Sequence, residues 1–348
     1  MSPRLLVFFV DGGTWKLVKP WMEQGKLPTF ARLAREGATA VLESVMPSET
    51  SYATAAFALG KHPAALGAFA PGSRSLIPVT SDGFSGMRIW EALGESGFRS
   101  LVMDFPGTWP PRPFPGAMFT GFFTPEEADD HIVPAEFKER YHDYPRGGIE
   151  ILHYLKAEKH ELLEKEYEIT RKRFAVFRDA CRREQFSFAC FYVKGTDLLQ
   201  HYLWDEPQTL LDYWTLLDGF LAETLADSWT HVIVASDHGF DTVPRTAFSI
   251  NRWLADEGFL RLTVVGEGVG GVARRFLANH RSLARTYYGI RHRLFGSARA
   301  MQNNEIRNVD HIEEKTAGSG TVSRDIDVVH SAAYAPGGAL NGKGIYLN

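Results

Sequence analysis

Short, continuously apolar runs alternate with longer amphipathic stretches along this chain, which predicts strands buried on both faces with helices between them. Leu5–Val10 (LLVFFV) is the first run, followed by Ser100–Asp104 (SLVMD), Phe188–Val193 (FACFYV), His231–Ser236 (HVIVAS) and Gly344–Leu347 (GIYL). The expected fold class is α/β, a three-layer sandwich around a mainly parallel central sheet. Two polar stretches interrupt the alternation and read as helical insertions within one domain spanning residues 1–348. The first covers about residues 126–185; within it Lys156–Glu184 reads as one long helix, with Glu161–Lys165 and Glu168–Lys172 as i,i+4 pairs. The second covers about residues 266–320. Its basic part, Val272–Arg307, holds eight Arg, two His and one acidic residue, Glu305, with Phe276, Tyr287, Tyr288 and Phe295 interleaved. Pro106–Pro115 is a proline-stiffened loop.

Composition narrows the class without naming a function. With 348 residues, 44% hydrophobic and 23% charged, the chain is neither disordered nor fibrous. Its 38 basic and 42 acidic residues, a net charge of -4, argue against coating nucleic acid. Two cysteines, Cys181 and Cys190, are too few for a disulfide framework and suit a reducing compartment. The apolar start at Leu5–Val10 is too short for a signal peptide or a spanning helix, so a soluble, cytoplasmic protein is expected.

Four of the runs end near an aspartate: Asp11, Asp104, Asp197 and Asp237. Ligands of open α/β sheets bind beyond the carboxyl ends of the strands, so a ring of carboxylates there has the look of an active site. Asp11 precedes Gly12-Gly13, which also fits a plain turn. Asp197 and His201 are four apart, so one helical face would carry both; the alternative is a cap and an ordinary histidine. Asp237 and His238 precede Gly239, which permits the turn that lets both converge. Thr50 precedes a helix-like run, Tyr52–Leu59, that stops at Gly60. It is either a helix N-cap or a hydroxyl nucleophile where free N–H groups favour a phosphoryl group. Oxygen and imidazole donors in this mixture suit zinc, manganese or iron, and two such ions would favour in-line phosphoryl transfer.

The order Asp11, Thr50, Asp197-x3-His201, Asp237-His238-Gly resembles the alkaline phosphatase superfamily, and within it the type I phosphodiesterase/nucleotide pyrophosphatase branch. Gly25–Leu33 with Glu36-Gly37, Pro47-x-x-Thr50 with Thr54 and Gly60-Lys61, and Ser236–Phe240 with Asn251–Leu254 carry the likeness, over most of residues 4–125, 186–262 and 325–348. The resemblance implies an alkaline phosphatase-like fold and two divalent ions, zinc first among the candidates. Asp11, Asp237 and His238, with the Thr50 oxygen, would hold one ion, and Asp197 with His201 the other. Thr50 would attack phosphorus, form a phospho-enzyme and be restored by water. The implied partner is a small-molecule phosphoester, diester or monoester; the sequence does not set an oligomeric state.

The chain departs from the family pattern in two places. Relatives supply a second His to the ion held by Asp197 and His201, and none of His280, His292, His311 and His330 sits in the expected motif. A C-terminally shortened member, an alternative ligand, or a metal-binding scaffold without turnover would each account for it. His62–Gly72 also lacks the Asn that contacts the phosphoryl oxygen in nucleotide pyrophosphatases. Lys61 and Lys194 are candidates to bind the substrate's anionic oxygens. Trp15, Phe105, Trp109, Phe122 and Phe123 are candidates to line a pocket for a second ester group, with core packing as the alternative. A sulfatase is disfavoured because Thr50–Thr54 has neither Pro nor Arg. A phosphoglycerate mutase would carry a Ser nucleophile and more metal-binding histidines.

Overall fold

The computed structural model describes residues 4–46, 48–66, 80–145, 159–227, 229–242, 250–261, 332–334 and 346–347. In chain order the first elements are β1 (Leu5–Val10), α1 (Trp15–Glu23), α2 (Pro28–Glu36), α3 (Thr50–Leu59), α4 (Ile89–Glu95), β2 (Ser100–Met103), β3 (Gly116–Phe119) and β4 (Ile132–Val133). They are followed by α5 (Ala135–Arg140), α6 (Lys159–Arg183), β5 (Phe188–Val193), α7 (Gly195–Leu203), α8 (Pro207–Leu225) and β6 (His231–Ala235). All lie in one compact unit, Met1–Phe69 with Ile77–Thr242. A second unit, Ala70–Leu76 with Val243–Asn348, holds α9 (Ile250–Asp256), β7 (Ala333–Tyr334) and β8 (Tyr346–Leu347).

The six strands of the first unit are ordered β4-β3-β2-β5-β1-β6, all parallel except β4, which runs antiparallel to β3. Four of the five apolar runs are strands of this sheet. The fifth is not: Tyr346–Leu347 pairs antiparallel with Ala333–Tyr334 in a separate two-stranded sheet. Two strands carried no such apolar signal. Gly116–Phe119 is only four residues and Ile132–Val133 only two, too short for a periodic pattern. The long helix is present as Lys159–Arg183, with its Glu168–Lys172 pair at 2.8 Å. The insertion expected over residues 266–320, with its basic stretch Val272–Arg307, lies outside the described residues.

Alternation along the strands splits the core into two layers. Leu6, Phe8 and Val10 of β1, with Phe191 and Val193 of β5, pack against Trp21, Phe30, Phe174, Phe177, Trp214 and Phe220 from α1, α2, α6 and α8. Val7 and Phe9, with Val102, Cys190 and Tyr192, pack on the other face against Ala58 of α3, Trp90 of α4 and the loop residue Phe105. The sandwich is therefore helix, sheet, helix. Both cysteines are free and buried, as their number led us to expect.

Two buried polar contacts fix the helices that position the functional residues. The α2 N-terminus has no local side-chain cap. Instead Asp218, on α8, accepts from Thr29 N at 2.9 Å and Phe30 N at 3.0 Å, and so satisfies helix-end donors that water cannot reach. At the start of α7, Tyr213 donates to Glu166 Oε1 at 3.3 Å directly behind Gly195, and a Cβ on Gly195 would collide with both groups.

Asp218→Ala is expected to lower unfolding stability by ~1–3 kcal/mol, measured by urea denaturation, because it leaves buried N–H groups unpaired. Gly195→Ala is expected to cost about 1–3 kcal/mol by overpacking, and to displace Asp197 along with the start of α7. A Gly195→Ala melting curve matching the parent would show that the close approach is not a constraint.

Candidate active site

The site forms where β1, β5 and β6 end side by side. Val10 pairs with Val193, and Phe9 with Ala235, so the residues that follow emerge at one level of the sheet edge. Asp11 extends the β1 ladder by donating its N–H to Val193 O at 3.0 Å. Asp197 lies in the first turn of α7 and Asp237 just beyond β6. All three carboxylates are buried.

Backbone and side-chain bonds tie the three strand ends together. Gly12 N donates to Asp237 Oδ1 at 3.1 Å, and Gly13 N to Ser236 Oγ at 2.8 Å. Thr196 Oγ1 donates to Asp11 O at 2.5 Å, and Gln200 Nε2 to Gly12 O at 2.9 Å. Ser44 Oγ donates to Asp237 O at 2.5 Å. Gly12 has φ +63°, and an added Cβ would lie 3.2 Å from Asp197 Oδ1, so glycine is required twice over there.

Asp11, Asp237 and His238 offer ligand atoms that all lie within 4.8 Å of one another. His238 Nε2 is 3.4 Å from Asp11 Oδ1 and 3.5 Å from Asp237 Oδ2. Its Nδ1 is 2.9 Å from Gly239 O; a carbonyl only accepts, so Nδ1 carries the hydrogen and Nε2 faces the cluster. Such a backbone tether is how a ligating histidine is oriented. Tyr192 donates to Asp237 Oδ2 at 3.2 Å. Two carboxylates and one oriented imidazole, buried together, fit a divalent cation.

Thr50 is the first residue of α3, whose N-cap is Glu49. The N-cap position expected for Thr50 is thus held by Glu49, and the Thr50 hydroxyl points to the carboxylate cluster. Thr50 Oγ1 lies 3.2 Å from His238 Nε2 and donates toward Asp11 Oδ1 at 3.5 Å. Asp197 and His201 share one face of α7, with His201 Nε2 3.3 Å from Asp197 Oδ1. Lys194 bridges the two groups: its ammonium is 2.9 Å from Asp11 Oδ2 and 2.6 Å from Asp197 Oδ2. Phe122 packs beside it, with Nζ 5.2 Å from the ring centroid.

The electrostatics follow from burial and this one cation. Burial raises Asp11 to about 7, against the pull of Lys194. Burial also acts on Asp197, but His201 and Lys194 outweigh it and hold that carboxyl well below the usual range. Lys194 is disfavoured by burial, yet Asp11 and Asp197 more than compensate and keep it charged. His238 likewise loses solvation, and the neighbouring Asp237 and Asp11 raise it overall.

Two sequence-derived candidates stand elsewhere. Asp104 ends β2 but does not join the ring; it is buried against Arg173 Nε at 3.2 Å and accepts from Tyr144 Oη at 2.6 Å. Lys61 follows the C-cap of α3, at the opposite end of that helix from Thr50, roughly 15 Å away for ten residues. Of the aromatics, Phe105 is core, whereas Phe122 and Phe123 stack against each other at 4.0 Å next to Lys194. Trp109 bonds Asp130, and Trp15 is exposed. Pro47, His280, His292, His311 and His330 lie outside the described residues. Among the described residues no helix is long and apolar enough to cross a membrane. Sequence reasoning missed Ser44, Tyr192, Thr196, Gln200 and Ser236. Tyr192 and Ser236 lie in quoted apolar runs and Gln200 within Asp197-x3-His201, but the role of all five depends on tertiary contact.

Among solved structures, phosphonoacetate hydrolase from Sinorhizobium meliloti, in complex with phosphonoformate, is similar with a TM-score of 0.54 at 15% identity. The match covers 77% of this chain and 66% of that one, so the chain spans under two thirds of that protein's length. It shares the fold, an alkaline phosphatase-like α/β sandwich. Among curated proteins none matches. The family model for type I phosphodiesterase / nucleotide pyrophosphatase, a metal-dependent group that generally uses two divalent ions, matches residues 5–331. With nearly the whole length matched, the chain belongs to the type I phosphodiesterase / nucleotide pyrophosphatase family of the alkaline phosphatase superfamily, a family of phosphoric ester hydrolases.

Proposed function

We propose that this chain hydrolyses phosphate esters through a covalent phospho-Thr50 intermediate, at a centre for two divalent cations, with zinc first among the candidates and manganese or iron as alternatives. One observation carries the reading: Thr50 Oγ1, at the start of a helix, faces Asp11 Oδ1 and His238 Nε2 instead of capping its own helix. Asp11, Asp237 and His238 would hold one ion with Thr50 Oγ1 beside it; Asp197 and His201 would serve the other. Ions there supply positive charge that favours the Thr50 alkoxide and offsets charge building on the phosphoryl oxygens.

The chain's own residues account for the remaining steps. In α3, Tyr52 N and Ala53 N donate to Glu49 O, so the N–H groups of Thr50 and Ser51 precede the intrahelical donors and suit an anionic oxygen. Asp11 Oδ1 gives the Thr50 proton an acceptor. Thr50 Oγ1 attacks phosphorus, the bond from phosphorus to the ester oxygen breaks, and the departing oxygen takes up a proton. Water then attacks the phosphorylated threonine on the opposite side, which releases a phosphate monoester from a diester, or phosphate from a monoester, and returns a proton to the Thr50 oxygen.

The surroundings favour an ester with an apolar or aromatic group over a bare monoester. Phe122 lies beside Lys194 with Phe123 tilted against it, while Phe240 packs on His201 with ring centroids 4.8 Å apart and on Trp204 at 5.1 Å. These rings offer stacking surface on either side of the carboxylates.

Thr50→Ala is expected to lower kcat/KM for a bis-aryl phosphodiester by about a thousandfold or more while leaving metal content unchanged. Rapid acid quench of the parent should trap one phosphoryl group on Thr50, located by peptide mass spectrometry. Turnover by Thr50→Ala at the parental rate would eliminate the covalent route. Asp237→Ala is expected to lose the ion held with Asp11 and His238, read by elemental analysis after dialysis. Retention of the parental metal content would place the ion elsewhere.

A further inference from the structure

The second half-site does not fit a divalent ion as the first one does. Among the described residues, the cluster of three potential ligands is Asp11, Asp237 and His238. Among the same residues Asp197 and His201 form only a pair, short of the three protein ligands of a catalytic zinc site. The oxygen of Asp197 that faces Asp11 already accepts from Lys194 Nζ at 2.6 Å, and Asp11 Oδ2 lies 2.9 Å from the same ammonium. The space between the two half-sites is taken by a positive charge belonging to the chain.

Charge balance points the same way. Lys194 already sets one positive charge against both Asp11 and Asp197. A second divalent ion would add two buried positive charges next to a lysine side chain only 16% exposed, which low polarity makes costly unless the lysine leaves.

We propose that Lys194 is the resident cation of the second half-site, and that a divalent ion enters between Asp197 and Asp11 only by displacing its ammonium. The inference rests on the proposed metal centre and adds an order to it: the Asp11, Asp237 and His238 site fills first, and the Asp197 and His201 site fills against Lys194. The lysine side chain then swings out past Phe122, its present neighbour. The two half-sites are thereby unequal, in a way that Lys194 controls.

The test is a titration of chelator-stripped full chain with Mn²⁺ by calorimetry, with ion content checked by elemental analysis. The parent should bind one ion tightly and a second more weakly. In Lys194→Gln the second affinity should rise about tenfold or more, equivalent to ~1.4 kcal/mol, and by more than the first. Lys194→Arg, which keeps the charge, should retain the parental pattern. On the parent itself, amine-reactive labelling of Lys194 should be slow with one ion bound and fast once the second binds. Two equal sites in the parent, a second affinity unchanged in Lys194→Gln, or labelling that ignores the second ion would each overturn the inference while leaving the metal centre standing. An absence of any bound ion in the parent would overturn both.

Discussion

Three carboxylates are held close together out of water, and this constraint governs the rest of the structure. In water such neighbours would repel weakly; in a protein, two unit charges 4 Å apart still interact by about 4 kcal/mol at an effective dielectric near 20. Asp11 and Asp197 meet this constraint in opposite ways. Asp11 is fully buried, and burial raises it to about 7 even though Lys194 lies beside it. Asp197 is nearly as buried, but its two oxygens address Lys194 and His201, and it stays ionised. Lys194 is the cation the chain itself brings between them.

The sheet makes the crowding possible and unavoidable. Parallel strands end on one edge, and the registers of β1 with β5 and β6 bring their following residues level. Folding the hydrophobic strands therefore drives the aspartates together whether or not their charges favour it. The cost is borne by a net of short bonds from the same loops: Gly12 N to Asp237, Gly13 N to Ser236, Thr196 to Asp11 O and Ser44 to Asp237 O. These bonds join residues far apart in the chain, so the site becomes rigid only when the sheet is complete.

What could be read from the sequence follows from the range of each interaction. β1, β2 and β5 were legible because continuous apolar runs report burial on both faces locally; the run at β6 also forms a strand, but its residues are exposed or half-buried, against the expectation of burial. β3 and β4 were not, since a strand of four residues or two has no period to detect. Asp11, Asp197, His201, Asp237 and His238 were legible through their strand ends and spacings. Thr50 was legible as a residue but ambiguous in role, because a capping threonine and a nucleophilic one look alike until the helix boundary is known. Its placement one residue inside α3 frees the hydroxyl. Asp104 followed the same strand-end pattern as the others and yet pairs with Arg173 and Tyr144, a long-range contact that no local spacing encodes.

Lys194 shows where local reading stops for a different reason. As a basic residue three positions before Asp197, it reads as one more positive group for an anionic substrate. Its backbone, however, already has helical angles, φ -74° and ψ -30°, so the i,i+3 relation places ammonium and carboxylate on one face. From there the side chain also reaches Asp11, 183 residues away in the chain, because β1 and β5 are neighbours. A lysine at this point offsets the burial of Asp11 and Asp197 as the sheet closes over them. On the proposed reading the same ammonium would be the obstacle a second cation has to move, and the contact that pairs the two carboxylates would make the two half-sites unequal.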